Sequence, residues 1–319
     1  MTNKKTARPD AHSALEELLN SINKKPDELH DSHIAHLVVH RNKVLGSHLV
    51  QGLKMDVTEE KDGISVIMKI EDGAVVENPV QICFGMLPES GTQKIIMDVN
   101  CGKNSKISII AHCSFPNAVD ITHIMEAKIN VEEGAEYSYF ERHVHGESGG
   151  TKVYPKAKVN LEKGARFATE FELIKGRVGL IDIAYETDCG ENSALEMTAR
   201  ISGYGNDVIR INETGHLNGK NSRGFLNSRI AVRDSARADI YNKLTASAAF
   251  ARGHVDCKEI VQDNAVASAI PVVEVSHPKA RITHEAAIGS VDSKQLQTLM
   301  ARGLSEKEAV ALIIQGLLK

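Results

Sequence analysis

The sequence contains no tryptophan and has few aromatic residues of any kind. Aromatic residues make up 4% of the 319 positions, so a hydrophobic core must be built from aliphatic side chains. The same scarcity weighs against a carbohydrate-active enzyme, which needs aromatic platforms along a sugar-binding groove. The formal net charge of −4 lacks the basic excess that nucleic-acid-binding proteins carry, so nucleic acid is not an expected partner.

Long hydrophobic runs are also absent. No stretch of about 18 consecutive apolar residues occurs, so we expect no membrane-spanning helix. The N-terminal stretch MTNKKTARPDAHSALEELL contains no apolar segment typical of a signal peptide. We therefore expect a cytoplasmic protein in which the five cysteines are reduced thiols. None of them forms a CxxC pair, so a zinc ribbon or a thioredoxin-type motif is not supported.

The N-terminal part of the chain divides into two predicted segments. Residues 1–10 are predicted to be disordered, and residues 11–45 to form a helical segment, because apolar residues recur there at helical spacing. Four histidines fall in the stretch KPDELHDSHIAHLVVHRN of the second segment: His30, His33, His36 and His40. A polar helix surface is the favoured interpretation. A metal cluster is the alternative, but no carboxylate or thiol completes a ligand set.

A repeated pattern of short strands and polar turns covers residues 46–288. Turns such as GKNSK, EEGAE and EKGAR resemble one another, and each contains a small residue. Those small residues recur at intervals of 30, 30, 29, 42, 29 and 15 residues: Ser105, Ala135, Ala165, Ala194, Ala236, Ala265 and Ala280. The intervals indicate a repeat of about 30 residues, with an insertion of about a dozen residues near 206–222 and a final half-step.

This repeat predicts a mainly β fold, a right-handed parallel β-helix with short N-terminal and C-terminal helical segments. Self-similarity at a fixed period is typical of solenoids, in which backbone groups pair between successive coils. Repeats without intervening helices exclude a doubly wound sheet. An antiparallel sandwich is the alternative. It would require two-residue Asn-Gly or Asp-Gly loops, and most of the repeated turns are longer.

Residues 289–319 are predicted to form two short amphipathic helices. Asp292 or Ser293 can cap the first, and Ser305 with Glu308 forms a capping box for the second. The pair can close the end of the β-helix or dock a partner protein. Surplus apolar residues favour docking: Ala309, Leu312 and Leu318.

The segment Pro278–Leu317 resembles the C-terminus of the SufB/SufD family, the β-helical scaffold proteins of the SUF iron–sulfur cluster assembly system. The matching pieces are HEAAIG, ARGLSEKEAVALII and QGLL. The resemblance extends over the chain from about residue 46 onward and implies a scaffold that assembles and transfers clusters. No P-loop motif (GxxxxGK[ST]) occurs, so hydrolysis would come from a partner, the ABC-type ATPase SufC, bound through the C-terminal helices.

The resemblance also implies particular site residues. Cys257 lies 27 residues before His284 and matches a family cysteine that is held to be a cluster or iron ligand where two subunits meet. His284 and Glu285 match the His and Glu of that site, while Thr283 stands where SufB often has a second Glu. Cys113 matches a family cysteine that receives persulfide sulfur from a sulfur donor, although Ala-His precedes it instead of Glu-Gly.

A mixed ligand set suits a scaffold. His can replace Cys on some irons of a cluster, and ligation by Cys257, His284 and Glu285 would be less permanent than four thiolates. Because the chain is shorter than SufB, the resemblance implies a homodimer that combines the SufB and SufD roles. Two copies across a twofold axis would supply two of each ligand to a transient cluster of undetermined type.

Several assignments stay open at this stage. These are the contributions of His254 near Cys257, of His112 beside Cys113, and of Cys101 before a turn. His143 and His145 share one strand face, for which a solvated surface is favoured over a metal site. A cluster-free structural subunit is the main alternative function, and a carbohydrate-active β-helix enzyme is a weaker one.

Overall fold

The chain folds into a β-solenoid of about eight turns. The structure is a computed structural model and describes residues 11–319, apart from the side chain of His30. Strands account for 57% of it, and three short helices lie at the two ends of the chain. The predicted parallel solenoid is therefore confirmed. The segment predicted to be disordered, residues 1–10, lies outside the described residues.

Nineteen strands and three α-helices follow one another along the described chain. The first half contains α1 (Ala11–Ser21), a 3-10 turn (Pro26–His30), β1 (His36–His40), β2 (Lys43–His48), β3 (Leu53–Glu59), β4 (Gly63–Ile70), β5 (Val80–Gly85), β6 (Ser90–Cys101), β7 (Lys106–Phe115), β8 (Asp120–Val131), β9 (Glu136–His145) and β10 (Thr151–Leu161). The second half contains β11 (Arg166–Lys175), β12 (Leu180–Cys189), β13 (Ala194–Gly203), β14 (Val208–Leu217), β15 (Arg223–Val232), β16 (Arg237–Ala246), β17 (Arg252–Val261), β18 (Val266–Val275), β19 (Arg281–Gly289), α2 (Ser293–Met300) and α3 (Glu306–Leu317).

Alternate strands stack into two sheets that enclose the core. Sheet A has the order β19-β17-β15-β13-β11-β9-β7-β5-β1-β2, and sheet B the order β18-β16-β14-β12-β10-β8-β6-β4-β3. All neighbours are parallel except the hairpins β1–β2 and β3–β4. The sequence of β10, TKVYPKAKVNL, shows how the strands form, because valine, alanine and leucine face the core while lysines alternate with them outside.

Each coil turns at two columns of small buried residues, and this corrects the predicted insertion. Ser193 and Ser222 belong to one column, and Asp207 and Ala236 to the other. The 42-residue interval runs from Ala194, next to Ser193 in the first column, to Ala236 in the second column, so it does not measure one repeat. Residues 206–222 are thus an ordinary part of the solenoid that contains β14, and the final half-step has the same origin.

The prediction of a helical segment over residues 11–45 is wrong in its second half. The helix ends at Ser21, and residues 36–48 form the hairpin of β1 and β2. The sequence HLVVH is buried on both faces, with Leu37 and Val39 in the main core and Val38 against α1. A short apolar run buried on both sides carries no alternation, so its spacing resembles that of a helix.

The N-terminal histidines do not share a helix face. His36 and His40 lie on β1, and the His48 ring lies 6.0 Å from the His36 ring. Burial lowers the pKa of His40. Among the side chains that the structure describes in this segment, which do not include that of His30, no group of three potential metal ligands forms. The polar-helix interpretation is wrong for β1 because the segment is a strand, and the metal-cluster alternative gains no support.

The two C-terminal helices form as predicted. The Asp292 side chain caps α2 by accepting a hydrogen bond from the Gln295 N–H, and Ser305 and Glu308 form the capping box of α3. Helix α3 packs through Ile314 on Ala231 of β15, which points away from the core. Within residues 11–319, no helix is both long and apolar enough to cross a membrane.

Candidate functional site

The two ends of the solenoid are finished differently. At the N-terminal end, the edge strands β2 and β3 are joined by a Lys43–Glu59 ion pair, and the Val44 N–H donates to Glu59 Oε1 at 3.0 Å. At the C-terminal end, β18 and β19 are the last strands of their sheets. Core-facing side chains of β19 stay exposed there, among them Ile288 at 46%. The last coil therefore presents an open end of the core.

Cys257 lies one strand below this open end. It sits in β17 with its side chain in the core, and it is 0% exposed. The Asn242 amide donates to Cys257 Sγ at 3.8 Å from the opposite sheet. Burial raises the pKa of the thiol to about 11. Its register partner in β19 is Ala286, a small residue.

The register places His284 with Cys257 but separates Glu285 from both. His284 pairs with Val255 in register, so it faces the core side as Cys257 does, as a diagonal neighbour. Glu285 points to the outer face, where its Oε1 lies 3.7 Å from the Lys258 ammonium. The three predicted ligands do not converge in one chain, since among residues 11–319 only one trio of donor atoms, located elsewhere, lies within 4.8 Å.

His254 belongs to the outer face and not to the Cys257 side. Its Nδ1 is 2.8 Å from the Thr283 hydroxyl, and its ring stacks on Phe225 with centroids 5.8 Å apart. Thr283, the position that lacks the second family Glu, thus holds His254 in place.

Cys113 lies in a second, wholly internal cluster. Its Sγ is 3.7 Å from Glu141 Oε1 and 3.7 Å from His123 Nε2, and all three residues are buried. The Cys113, Glu141 and His143 donor atoms form the trio that lies within 4.8 Å. Burial raises the pKa of Glu141 to about 7 and that of the Cys113 thiol well above its usual value. The access and thiolate character expected of a persulfide acceptor are therefore not present in this conformation.

A chain of hydrogen bonds fixes the protons in this cluster. His145 Nδ1 donates to the Arg177 carbonyl oxygen at 2.9 Å, so a neutral His145 keeps a lone pair on Nε2. That nitrogen accepts from His143 Nδ1 at 3.1 Å. His143 Nε2 is left with its own lone pair, aimed at Glu141 Oε1 at 2.7 Å. Burial lowers the pKa of both histidines to about 3, so both are neutral.

The prediction that His143 and His145 form a solvated strand face is wrong. Both are buried, and Phe115 and Phe171 pack against them, with ring centroids 5.5 Å (Phe115–His145) and 4.7 Å (Phe171–His143) apart. The alternation of residues in a strand predicts that His143 and His145 share one face. It does not show whether that face points to solvent or to the core. Glu141 and His123 were missed altogether. The Glu-x-His-x-His spacing from residue 141 to residue 145 was the available signal for Glu141, and His123 had none.

The remaining open assignments find no support as site residues. His112 neighbours Cys113 in β7 but points to the other face, and burial lowers its pKa to about 4. Cys101 is fully buried, and burial raises its thiol pKa to about 12. All five cysteines are free and buried.

Two further buried carboxyl groups lie in the C-terminal half of the core. Glu213 in β14 is 2% exposed, and burial raises its pKa to about 8. Glu259 in β17 is 3% exposed, accepts from the Ser228 hydroxyl at 3.4 Å, and has a pKa raised by burial to about 7. Both face the core near Cys257, and each leaves one oxygen without a hydrogen-bond partner.

Comparison with known proteins settles the family. The family model described as "SUF system FeS cluster assembly, SufBD core domain" matches residues 90–317, more than two thirds of the chain. The chain belongs to the SufBD family. The predicted resemblance is thereby confirmed, and the carbohydrate-active alternative is set aside.

Similar SufBD proteins cover nearly the whole chain. An iron-sulfur cluster assembly SufBD family protein of Methanocaldococcus jannaschii is 36% identical over 302 residues, 95% of this chain and 96% of that protein. A SufBD family protein of Pyrococcus horikoshii is 36% identical over 290 residues, 91% of this chain and 88% of its own length. The match to Bacillus subtilis SufB is local, 34% identical over 70 residues, 22% of this chain and 15% of that protein.

The buried Glu213 predicts a specific pH dependence of the stability of this SufBD protein. A carboxyl group with a raised pKa binds its proton more tightly in the fold, so its contribution is complete below about pH 4.5 and is lost as the pH rises through about 8. Glu213→Gln removes this ionisation. We expect it to raise the melting temperature at about pH 9 and to leave the value near pH 5 almost unchanged.

The control is Glu196→Gln, which alters an exposed carboxylate of β13 and should follow the wild-type curve at every pH. Thermal unfolding monitored by circular dichroism gives the comparison. Parallel pH curves for wild type and Glu213→Gln would contradict the assignment.

Proposed function

We propose that the chain is a homodimeric scaffold of the SUF system, on which iron–sulfur clusters are assembled and from which they are transferred, together with a SufC-type ABC ATPase. The open last coil is the observation that carries this proposal, because it exposes core-facing His284 next to the strand of Cys257. Family membership supplies the link to cluster assembly. The cytoplasmic location remains a prediction.

A second copy of the chain is the natural cover for the open end. Both β18 and β19 have one edge whose backbone groups meet no further strand among the described residues. Such edges pair readily with another strand. A twofold arrangement would bring two copies of Cys257, His284 and Glu285 to one interface. Glu285, which points outward in one chain, would meet the cluster only through this arrangement.

Binding at Cys257 requires two local changes. The thiol, with its pKa raised to about 11, must lose its proton, and metal binding supplies the driving force for that loss. The sulfur must also be uncovered, and β19 is the element that covers it. Because β19 is paired on one side alone and carries small Ala286 above the sulfur, its displacement breaks a single ladder. In this proposal, a sulfur donor transfers the outer sulfur of its persulfide to Cys113 and keeps its own thiol, which requires that the buried Cys113 thiol first becomes accessible and loses its proton.

The C-terminal helices form the proposed docking surface for the ATPase. Ala309 and Leu318, counted as surplus apolar surface in the sequence, are both buried, and Leu318 packs with Ile314 on Ala231 of the solenoid. Leu312 remains 46% exposed and Met300 43% exposed, so both helices carry an exposed apolar side chain. Side chains of β19 stay exposed beside the α2–α3 pair, so the pair does not close the open end.

A cluster-free structural subunit is the competing function, and the burial of Cys257 favours it. Anaerobic reconstitution with ferrous iron and sulfide distinguishes the two. We expect a sulfur-to-iron charge-transfer absorption from wild type, most of which is lost in Cys257→Ser and in His284→Ala. Cys189→Ser is the matched control, since it removes another buried thiol of the core, and it should retain the absorption. Equal absorption in wild type and Cys257→Ser would contradict the ligand assignment.

Dimer formation through the open end is tested by charge insertion. Ile288 is 46% exposed in one chain, so Ile288→Lys should leave the protomer folded and place a charge in the interface. We expect wild type to sediment as a dimer and Ile288→Lys as a monomer in analytical ultracentrifugation. Ile67→Lys alters another exposed apolar residue, in β4, and should remain dimeric. A wild-type monomer, or a dimeric Ile288→Lys, would refute the interface.

Leu312→Asp tests the docking surface. Loss of an exposed apolar anchor should weaken binding of the SufC-type ATPase by about tenfold or more, as measured by calorimetry. Ile174→Asp changes a side chain of the same 46% exposure on β11 and serves as the control. Identical affinities for the two variants would place the docking surface elsewhere.

A further inference from the structure

The internal cluster around Cys113 has the composition of a metal site. We propose that Cys113, Glu141 and His143, with His123 from the opposite sheet, bind one divalent transition-metal ion, Zn²⁺ or Fe²⁺, inside the solenoid. The site is separate from the proposed cluster site, because Cys113 in β7 and Cys257 in β17 are five strands apart in sheet A, about 24 Å.

The distances fit tetrahedral coordination. Metal–sulfur bonds of about 2.3 Å and metal–nitrogen bonds of about 2.0 Å place sulfur and nitrogen about 3.6 Å apart around one ion. Cys113 Sγ lies 3.7 Å from His123 Nε2 and 3.7 Å from Glu141 Oε1. The His143 Nε2 to Glu141 Oε1 distance of 2.7 Å would widen to about 3.3 Å when an ion replaces the shared proton.

The His143 ring is already oriented as a ligand. Metal-binding histidines usually donate their other ring N–H to a carbonyl or a similar acceptor, which fixes the tautomer. Here His143 Nδ1 donates to His145, which in turn donates to the Arg177 carbonyl oxygen. The lone pair of His143 Nε2 is therefore directed into the cluster.

Charge balance favours a divalent ion at this position. Binding releases one proton from the Cys113 thiol and one from the Glu141 carboxyl group, and it leaves a thiolate, a carboxylate and neutral imidazoles. The two negative charges neutralise the ion, so the core gains no net charge. This matters because an uncompensated charge in a dry core is costly.

An unsatisfied carboxyl oxygen in the cluster supports the same proposal. Glu141 Oε2 is buried without a hydrogen-bond partner, in a residue that is 1% exposed. A hydrogen-bond network built only for stability normally satisfies its buried members. The packing of Phe115 and Phe171 around the histidines also keeps water out, as expected for a closed site.

An ion on Cys113 would compete with persulfide for the same sulfur. Metal coordination makes Cys113 a thiolate despite its burial, which the metal-free core disfavours. The ion therefore either leaves before Cys113 receives persulfide sulfur or prevents that step.

The test uses Co²⁺ as a spectroscopic probe. The full chain, carrying Cys257→Ser to remove the cluster site, is expressed in cobalt-supplemented medium so that the ion can enter during folding. It is purified with a chelator, and metal content and absorption are measured. We expect about one Co²⁺ per chain, a thiolate-to-cobalt charge-transfer band and the intense visible bands of tetrahedral cobalt. Expression with Zn²⁺ or Fe²⁺ alone then shows which ion the site retains.

Variants make the assignment specific. Cys113→Ala should lose the charge-transfer band, and Glu141→Gln, which preserves shape, should lose most of the metal while keeping the wild-type circular dichroism. Cys101→Ala removes a buried core thiol without carboxylate or imidazole neighbours in hydrogen-bond contact, and it should keep the full spectrum. Chelator-resistant metal below about a tenth of an equivalent, or an unchanged band in Cys113→Ala, would overturn the proposal.

Discussion

Backbone hydrogen bonds between successive coils are the interaction on which the rest of the molecule depends. The backbone groups of each inner strand pair with the strands of the coils before and after it, so among residues 11–319 only the two ends of the stack have unpaired edges. Both ends keep an outer edge strand in each sheet. At the N-terminal end these strands, β2 and β3, belong to antiparallel hairpins and are joined by the Lys43–Glu59 pair. At the C-terminal end they are the parallel strands β18 and β19, and the residues matched to cluster binding lie in β17 and β19.

The same stacking aligns core side chains into columns. Register places Glu141, Phe171, Ala199, Ser228 and Cys257 in one inward-facing column of sheet A. Within this column, the polar side chains fall into two groups, because Phe171 and Ala199 lie between Glu141 and Ser228. Cys113 and Cys257 are five strands apart in sheet A, and the interrupted column shows that residues of this column alone provide no continuous polar path for sulfur.

Much of the fold could be predicted from the sequence because the same strand-and-turn pattern recurs in successive coils. The period is therefore recognisable even where a single turn deviates from it. The period of about 30 residues and the capping box at Ser305 were both predictable, since each depends on local turn or cap chemistry. The strand at His36–His40 and the turn column at Asp207 were not. The strand His36–His40 is buried on both faces, so its sequence lacks the alternation of apolar and polar residues. The turn column of Asp207 could not be distinguished because its turns alternate along the chain with similar turns of the other column.

The candidate site was predictable only in part, for a related reason. Family resemblance selected Cys257 and His284, and strand register confirms that they share a face. Family resemblance could not identify Glu141 or His123. Glu141 contacts Cys113 because its face of β9 is the inward one, and His123 does so because sheet B packs against sheet A across the core. Spacing within one strand carries no such information.

The unequal finish of the two ends limits how far the protein can grow by self-association. A solenoid that is open at both ends can add copies without limit and becomes a filament. Here a copy docked on the last coil would cover the exposed core-facing side chains of β19, and its own far end would again carry the hairpins joined by Lys43 and Glu59. End-to-end association would therefore terminate after one step, in a closed particle.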